Sequence, residues 1–267
     1  MVGSEGGPSI RGILIDLDGV IYQGGAAIPG AAAAIGWLQE RKIPFLFLTN
    51  TTQAPRSAIV ENLGRFGIKV RQDEIFTPPA AAASWLRTRV GDSGVALFVR
   101  PIVRHEFGGL RLLADGAETG AACVVVGDLG KGWSFETLNR AFRLLYSAPE
   151  SMLVALGMTR YYQGSDGVVL DVAPIVAALE NATGKSAIVL GKPAAGFFHS
   201  AAELLRLAPS ELLMIGDDIR TDVGGAHASG LLGAIVKTGK FRESDLAGDV
   251  VPDFVMKSIA DIGQILK

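Results

Sequence analysis

Asp16 and Asp18 stand one residue apart in GILIDLDGVIYQG, residues 12–24, directly after the apolar run Ile13, Leu14 and Ile15. An isolated buried carboxylate is costly, so a pair driven to the end of an apolar strand must be exposed, paired with a cation, or both. Other polar groups close later apolar runs: Thr49 and Asn50 end IPFLFLTN, Lys192 follows SAIVLG, and Asp217 and Asp218 follow LLMIG, with Asp222 just beyond. If those runs are strands of one parallel sheet, the groups converge on one edge. The acids at 16, 18, 217, 218 and 222 would then form a site for a hard divalent cation. Oxygen ligands favour Mg2+; a dedicated zinc site would want clustered Cys or His, which this chain lacks. Mg2+ beside a hydroxyl (Thr49), a backbone or amide donor (Asn50) and Lys192 suits a transferring phosphoryl group, whose oxygens need positive and hydrogen-bonding partners. One aspartate can attack phosphorus and the other can move protons.

The elements that must position these groups follow from patterning. GILIDLD and IPFLFLTN are short apolar runs of strand length, as expected for strands covered on both faces. Between them PGAAAAIGWLQERK predicts a helix with Pro29 in its first turn, and APRSAIVENLGRFG predicts another that ends at Gly67. DEIFTPPAAAASWLRTRVG repeats the strand-then-helix theme. Late in the chain SAIVLGKP predicts a core strand ending in Gly191 and Lys192, AAGFFHSAAELLRLA a helix, and LLMIGDDIRTDVGGAHASG a strand running into an acidic loop. This alternation predicts an α/β fold, a Rossmann-like doubly wound parallel sheet whose ligands gather at the carboxyl ends of the strands. Residues 90–185 carry strand and helix signals of their own and read as an inserted α/β domain. The core would then be assembled from 1–89 and 186–267.

Composition narrows the class. Apolar residues make up 49% of the 267-residue chain and charged residues 19%, and the formal charge is −2. A basic face for nucleic acid or a membrane surface is not expected. No apolar window reaches the roughly 18 residues of a membrane span, although mean hydropathy is +0.34. The first residues, MVGSEGGPSIR, lack the pattern of a secretion signal and read as a flexible leader. The one cysteine, Cys123, lies in the apolar run AACVVVGD and is expected to pack, which favours a reducing, cytoplasmic setting. His105, His199 and His227 are scattered without metal-ligand spacing, and Trp37, Trp85 and Trp133 are expected to pack.

DxDG at 16–19, Thr49, Lys192 within GKP and GDDxxxD at 216–222 stand in the order of the haloacid dehalogenase superfamily phosphatases, which the sequence resembles across nearly its whole length. The short interval from Asp16 to Thr49 and the long one from Thr49 to Lys192 resemble the arrangement of the NagD-like subfamily with a C2-type cap. VVVGDLGKGWSFETLNRAF, LGMTRYYQGSDGVVLDVAP and TGKFRESD further resemble a branch of that subfamily acting on pyrophosphate and phosphoramidates. The resemblance implies that Asp16 is the nucleophile forming an aspartyl-phosphate and Asp18 the general acid and base. It implies Mg2+ held by Asp16, Asp217 and the backbone carbonyl of Asp18, with Asp222 orienting the metal's waters. Thr49, the backbone of Asn50 and Lys192 would hold phosphate; Asp218 has no settled role. In the cap, Arg160, Tyr161 and Tyr162 are candidates for contact with a small phosphorylated substrate, and packing of the two tyrosines is an equal alternative. The resemblance is also compatible with a homodimer formed through the cap. Two other readings stay open: a binding protein that keeps the fold without catalysis, and a phosphotransferase or mutase.

Overall fold

The structure, a computed structural model, describes residues 9–164 and 167–266, the side chains of 162–164 excepted. Residues 1–8 of the expected leader, and Asp166, whose glycine-flanked stretch reads as a turn, lie outside the described residues. Along the chain the elements are β1 (Gly12–Asp16), a hairpin of β2 (Tyr22–Gln23) and β3 (Ala26–Ala27), α1 (Ala31–Glu40), β4 (Phe45–Leu48), α2 (Arg56–Arg65) and β5 (Ile75–Phe76). There follow α3 (Pro78–Arg87), β6 (Gly94–Phe98), β7 (Ala121–Val126), α4 (Phe135–Tyr146), β8 (Met152–Ala155), β9 (Tyr161–Gly164), β10 (Gly167–Leu170), α5 (Val172–Thr183) and β11 (Ile188–Val189). Last come α6 (Ala195–Leu205), β12 (Leu212–Gly216), α7 (Gly225–Ala228), β13 (Leu232–Val236), β14 (Phe254–Met256) and α8 (Ile262–Ile265).

Two compact units result. The first takes the chain up to Thr49, Arg56–Phe76 and the stretch from Lys192 onward; the second takes Asn50–Pro55 and Thr77–Gly191. The divisions thus fall at 77 and 191, where patterning placed them at 90 and 185. In the first unit six strands form a parallel sheet in the order β14-β13-β12-β1-β4-β5. The chain runs outward from β1 through β4 and β5, then returns to the other side through β12, β13 and β14. The order therefore reverses at β1 and β12, the place where open α/β sheets bind ligands. β1, β4 and β12 are buried along their full length, which explains their uninterrupted apolar sequences.

On one face Ile13, Ile15, Phe45, Phe47, Leu213 and Ile215 pack beneath Ala34, Ile35 and Leu38 of α1 and Ile59 and Leu63 of α2. On α6, Phe197 stacks on Phe76 of β5 with centroids 4.9 Å apart. Each large side chain buried this way contributes about 1.5–3 kcal/mol. That burial anchors the strands whose ends carry the polar groups.

The second unit has its own parallel sheet, β11-β8-β7-β6, and the antiparallel pair β9 and β10. Val124, Val126, Leu153 and Ala155 pack against Ala141, Leu144 and Leu145 of α4 and Val176 and Leu179 of α5. Cys123 is fully buried, and burial pushes its thiol up to about 12.

Two local expectations are corrected. Pro29 does not open α1: the helix starts at Ala31 after Gly30, whose φ of 83° sets a left-handed turn out of the hairpin. The strand before Lys192 is not a core strand. β11 pairs with β8 at the edge of the second unit's sheet, because two residues provide only an edge strand there, and the chain then leaves that sheet before Lys192.

Candidate active site

Asp16 is the last residue of β1 and pairs in register with Leu48, so Thr49 follows at the neighbouring strand end. β12 lies on the other side of β1, its Gly12↔Leu212 register bringing Gly216 and Asp217 to the same edge. Lys192 reaches this edge from the loop before α6. Its Nζ lies 2.7 Å from Asp16 Oδ1 and 2.8 Å from Asp222 Oδ1, and donates to the Leu48 carbonyl at 3.4 Å. The side chain rather than a strand end supplies the position, which is why the expected spacing still delivers the lysine.

Carboxylate oxygens of Asp16, Asp217 and Asp222 lie within 4.8 Å of one another, all three residues buried. Asp222 Oδ2 accepts from the Asp218 backbone N–H at 3.1 Å. Asp217 Oδ2 accepts from the Lys240 N–H at 2.8 Å, while Asp217 Oδ1 is buried with no hydrogen-bond partner among the described residues. Burial raises the Asp16 carboxyl above the usual range against the opposing pull of Lys192. Burial likewise raises Asp217, opposed chiefly by the Lys240 N–H. For Asp222 burial outweighs Lys192, and the pKa is pushed up to about 6. Burial alone would lower the Lys192 ammonium, but the Asp16 and Asp222 carboxylates outweigh it and the net direction is upward.

These residues fit a divalent cation. Three carboxyl groups share one ammonium in a buried cluster, and Asp217 Oδ1 has no hydrogen-bond partner among the described residues, so a further cation would find oxygen ligands there. The donors are oxygens, as a hard cation of the Mg2+ type requires.

Asp18 is exposed and forms an isolated bridge with Tyr22, closing a tight loop in which the Gly19 N–H donates to the Tyr22 carbonyl. Gly19 has a φ of 78°, and a Cβ there would stand 2.0 Å from Asp217 Oδ2. The glycine of DxDG is thus required both by its backbone and by the close approach. Tyr22 was not singled out by sequence; burial, then Asp18 and Asp16, push its phenol up to about 12.

Asp218 turns out to be a helix cap. Its Oδ1 accepts from the Arg220 and Thr221 N–H groups at 3.0 Å each, starting the helical segment Ile219–Gly224. Burial would raise its carboxyl, but those N–H groups and Lys240 hold it lower. Asn50, Arg160 and Tyr161 belong to the second unit. Arg160 and Tyr161 are exposed, on the approach to and start of β9. Tyr162 lies on the same strand, its side chain outside the described residues.

Comparison with known proteins bears on this geometry. A family profile described as haloacid dehalogenase-like hydrolase matches residues 13–111, and one described as HAD-hydrolase-like matches residues 189–262. The phospholysine phosphohistidine inorganic pyrophosphate phosphatase of Bos taurus is 40% identical over 243 residues, 88% of this chain and 86% of that protein. The p-nitrophenyl phosphatase from Archaeoglobus fulgidus is 26% identical and superposes with a TM-score of 0.85 over 97% of this chain and 100% of that one. NagD from Escherichia coli, 21% identical, shares the fold with a TM-score of 0.81 over 95% of this chain and 98% of that one. The chain belongs to the haloacid dehalogenase-like hydrolases and is a phosphatase.

Proposed function

We propose that the protein is a Mg2+-dependent phosphohydrolase that works through an aspartyl-phosphate on Asp16. The observation that carries this reading is the buried cluster of Asp16, Asp217, Asp222 and Lys192 with an unpartnered Asp217 oxygen at the switch point of the sheet.

In the first step an Asp16 carboxylate oxygen forms a bond to phosphorus as the bond to the leaving group breaks, and Asp18 gives its proton to that group. In the second step Asp18 takes a proton from water, whose oxygen attacks phosphorus, and the Asp16–phosphorus bond breaks to release phosphate. Thr49, the Asn50 backbone and Lys192 would hold the phosphoryl oxygens. Asp16, Asp217 and the Asp18 carbonyl would hold Mg2+, with Asp222 beside them. The cation would supply positive charge that offsets repulsion between the carboxylate and the anionic phosphate. Exposure of the Asp18 side chain supports a role at the substrate side of the loop. Burial supports retention of Asp16 in a preorganised position.

The substrate proposed is pyrophosphate or a phosphoramidate, supported by the name of the bovine relative. The second unit is proposed as a cap over the substrate, with Arg160, Tyr161 and Tyr162 as specificity residues. A homodimer through this unit is supported by the exposed apolar side chains Val168 and Leu170 on β10. No described helix is long and apolar enough to cross a membrane, and the buried lone cysteine supports a cytoplasmic setting.

The test is phosphate release from pyrophosphate, phospholysine, phosphohistidine, sugar phosphates and nucleotides, with Mg2+ and with chelator, beside Asp16→Asn. Release that needs Mg2+ and Asp16 is expected. Undiminished turnover in Asp16→Asn would remove the covalent mechanism, and activity confined to phosphomonoesters would remove the proposed substrate.

A further inference from the structure

The turn after β13, Thr238–Gly239–Lys240, grips the candidate metal centre from outside its motifs. Thr238 Oγ1 donates to the Gly19 carbonyl, tying the turn to the loop after β1. The Lys240 backbone N–H donates to Asp217 Oδ2 at 2.8 Å, and Asp217 Oδ1 is left buried and unpartnered. Between these contacts Gly239 has a φ of 67°; a Cβ there would meet Asp217 Oδ2 at 2.0 Å and Gly19 Cα at 2.6 Å. The Lys240 ammonium adds a distant contact of 3.7 Å to Asp218.

A backbone N–H fixed on Oδ2 sets the rotation of the Asp217 carboxylate and leaves Oδ1, buried and unpartnered among the described residues, as the oxygen still in need of a partner. From this geometry we infer that Thr238, Gly239 and the Lys240 backbone are positioning residues for the metal: they orient Asp217 so that Oδ1 faces the cation and hold the Gly19 loop against it. Thr238 acts through Gly19, and Gly239 acts by leaving room for Asp217 to sit against the turn. This rests on the metal reading of the preceding subsection and adds a layer of support that the DxDG and GDDxxxD motifs do not contain. Partners of metal ligands in other proteins change metal affinity by about 10–100-fold when removed.

The test is calorimetric titration of Mg2+ into the purified, metal-stripped full chain, with circular dichroism and a thermal melt on the same samples. Thr238→Val removes the hydroxyl and keeps the shape; it is expected to weaken Mg2+ binding about 10-fold, and Thr238→Ser to restore it to within about two-fold. Gly239→Ala is expected to weaken binding by at least as much as Thr238→Val. In steady-state assays the Mg2+ concentration for half-maximal rate should rise by a larger factor than kcat at saturating Mg2+ falls. If Gly239→Ala does not fold, the Thr238 pair decides. Unchanged affinity in Thr238→Val, with or without a lower melting temperature, would overturn the inference and leave the metal reading standing. Equal weakening in Val and Ser would overturn the role of the hydroxyl. A wild-type chain that takes up no Mg2+ would overturn both readings.

Discussion

Lys192 is the residue on which the cluster depends. It is buried and contacts both Asp16 and Asp222, so removing it leaves two buried carboxylates without their cation. Lys192→Met is expected to destabilise the metal-free protein by about 3–5 kcal/mol, read by urea unfolding. It should also abolish detectable turnover. Asp16→Asn acts differently: it should lose turnover while keeping its fold and near-native melting temperature, because one of three crowded carboxylates becomes neutral. The raised Asp222 pKa of about 6 has a definite sign. In the folded, metal-free chain this carboxyl holds its proton more tightly than in the unfolded chain, whose value is near the ordinary 3.8. Between those values the folded state binds more protons, so this group's contribution to stability falls as pH rises from about 4 to about 6. Melting the metal-stripped chain across that window checks it; a contribution that rises instead would refute the assigned cause.

Asp218 and Thr49 show why an element has to be resolved before a residue's role can be read. Patterning placed Asp218 beside Asp217 in one acidic loop, yet the turn at β12 sends their side chains to different work. Asp217 faces the cluster and Asp218 caps Ile219–Gly224. Asp218→Ala is expected to lose about 1 kcal/mol, as removal of an N-cap does, and far less activity than Asp217→Ala. Equal losses would place Asp218 in the chemistry. Thr49 was legible because β4 ends where its apolar run ends. Lys192 was legible as a member of the polar cluster but not by its element, since the short run before it could pair with either sheet and joins β8. The strand β4 itself is a packing device: Phe47 is fully buried and meets Phe45 edge-on at 5.5 Å. Phe47→Ala should destabilise by about 3–5 kcal/mol through the cavity it leaves.

At the scale of the whole molecule, charge couples the cluster to its conditions. Three crowded carboxyl groups oppose folding of the metal-free chain and attract a dication, so Mg2+ should raise the melting temperature. The increase should be larger at pH 7.5 than at pH 5, since protons compete for the same oxygens. A Mg2+ shift independent of pH, or absent in wild type and Asp217→Ala alike, would count against this site as the place of binding.

By itself the sequence determined the class of chemistry and the parallel α/β core. Acid and lysine types, and apolar runs of strand length, are local properties that survive any arrangement of neighbours. Asp16, Asp18, Thr49, Lys192 and Asp217 could therefore be singled out from their positions after apolar runs. Only the tertiary structure decided that β1 lies between β12 and β4, that β11 belongs to the second sheet, and that Thr238 and Lys240 reach back to Gly19 and Asp217. Those outcomes depend on which distant strands pair and which oxygen of a carboxylate is already held. Pairing and burial are set by contacts far apart in the chain, and no local pattern of residue types encodes them.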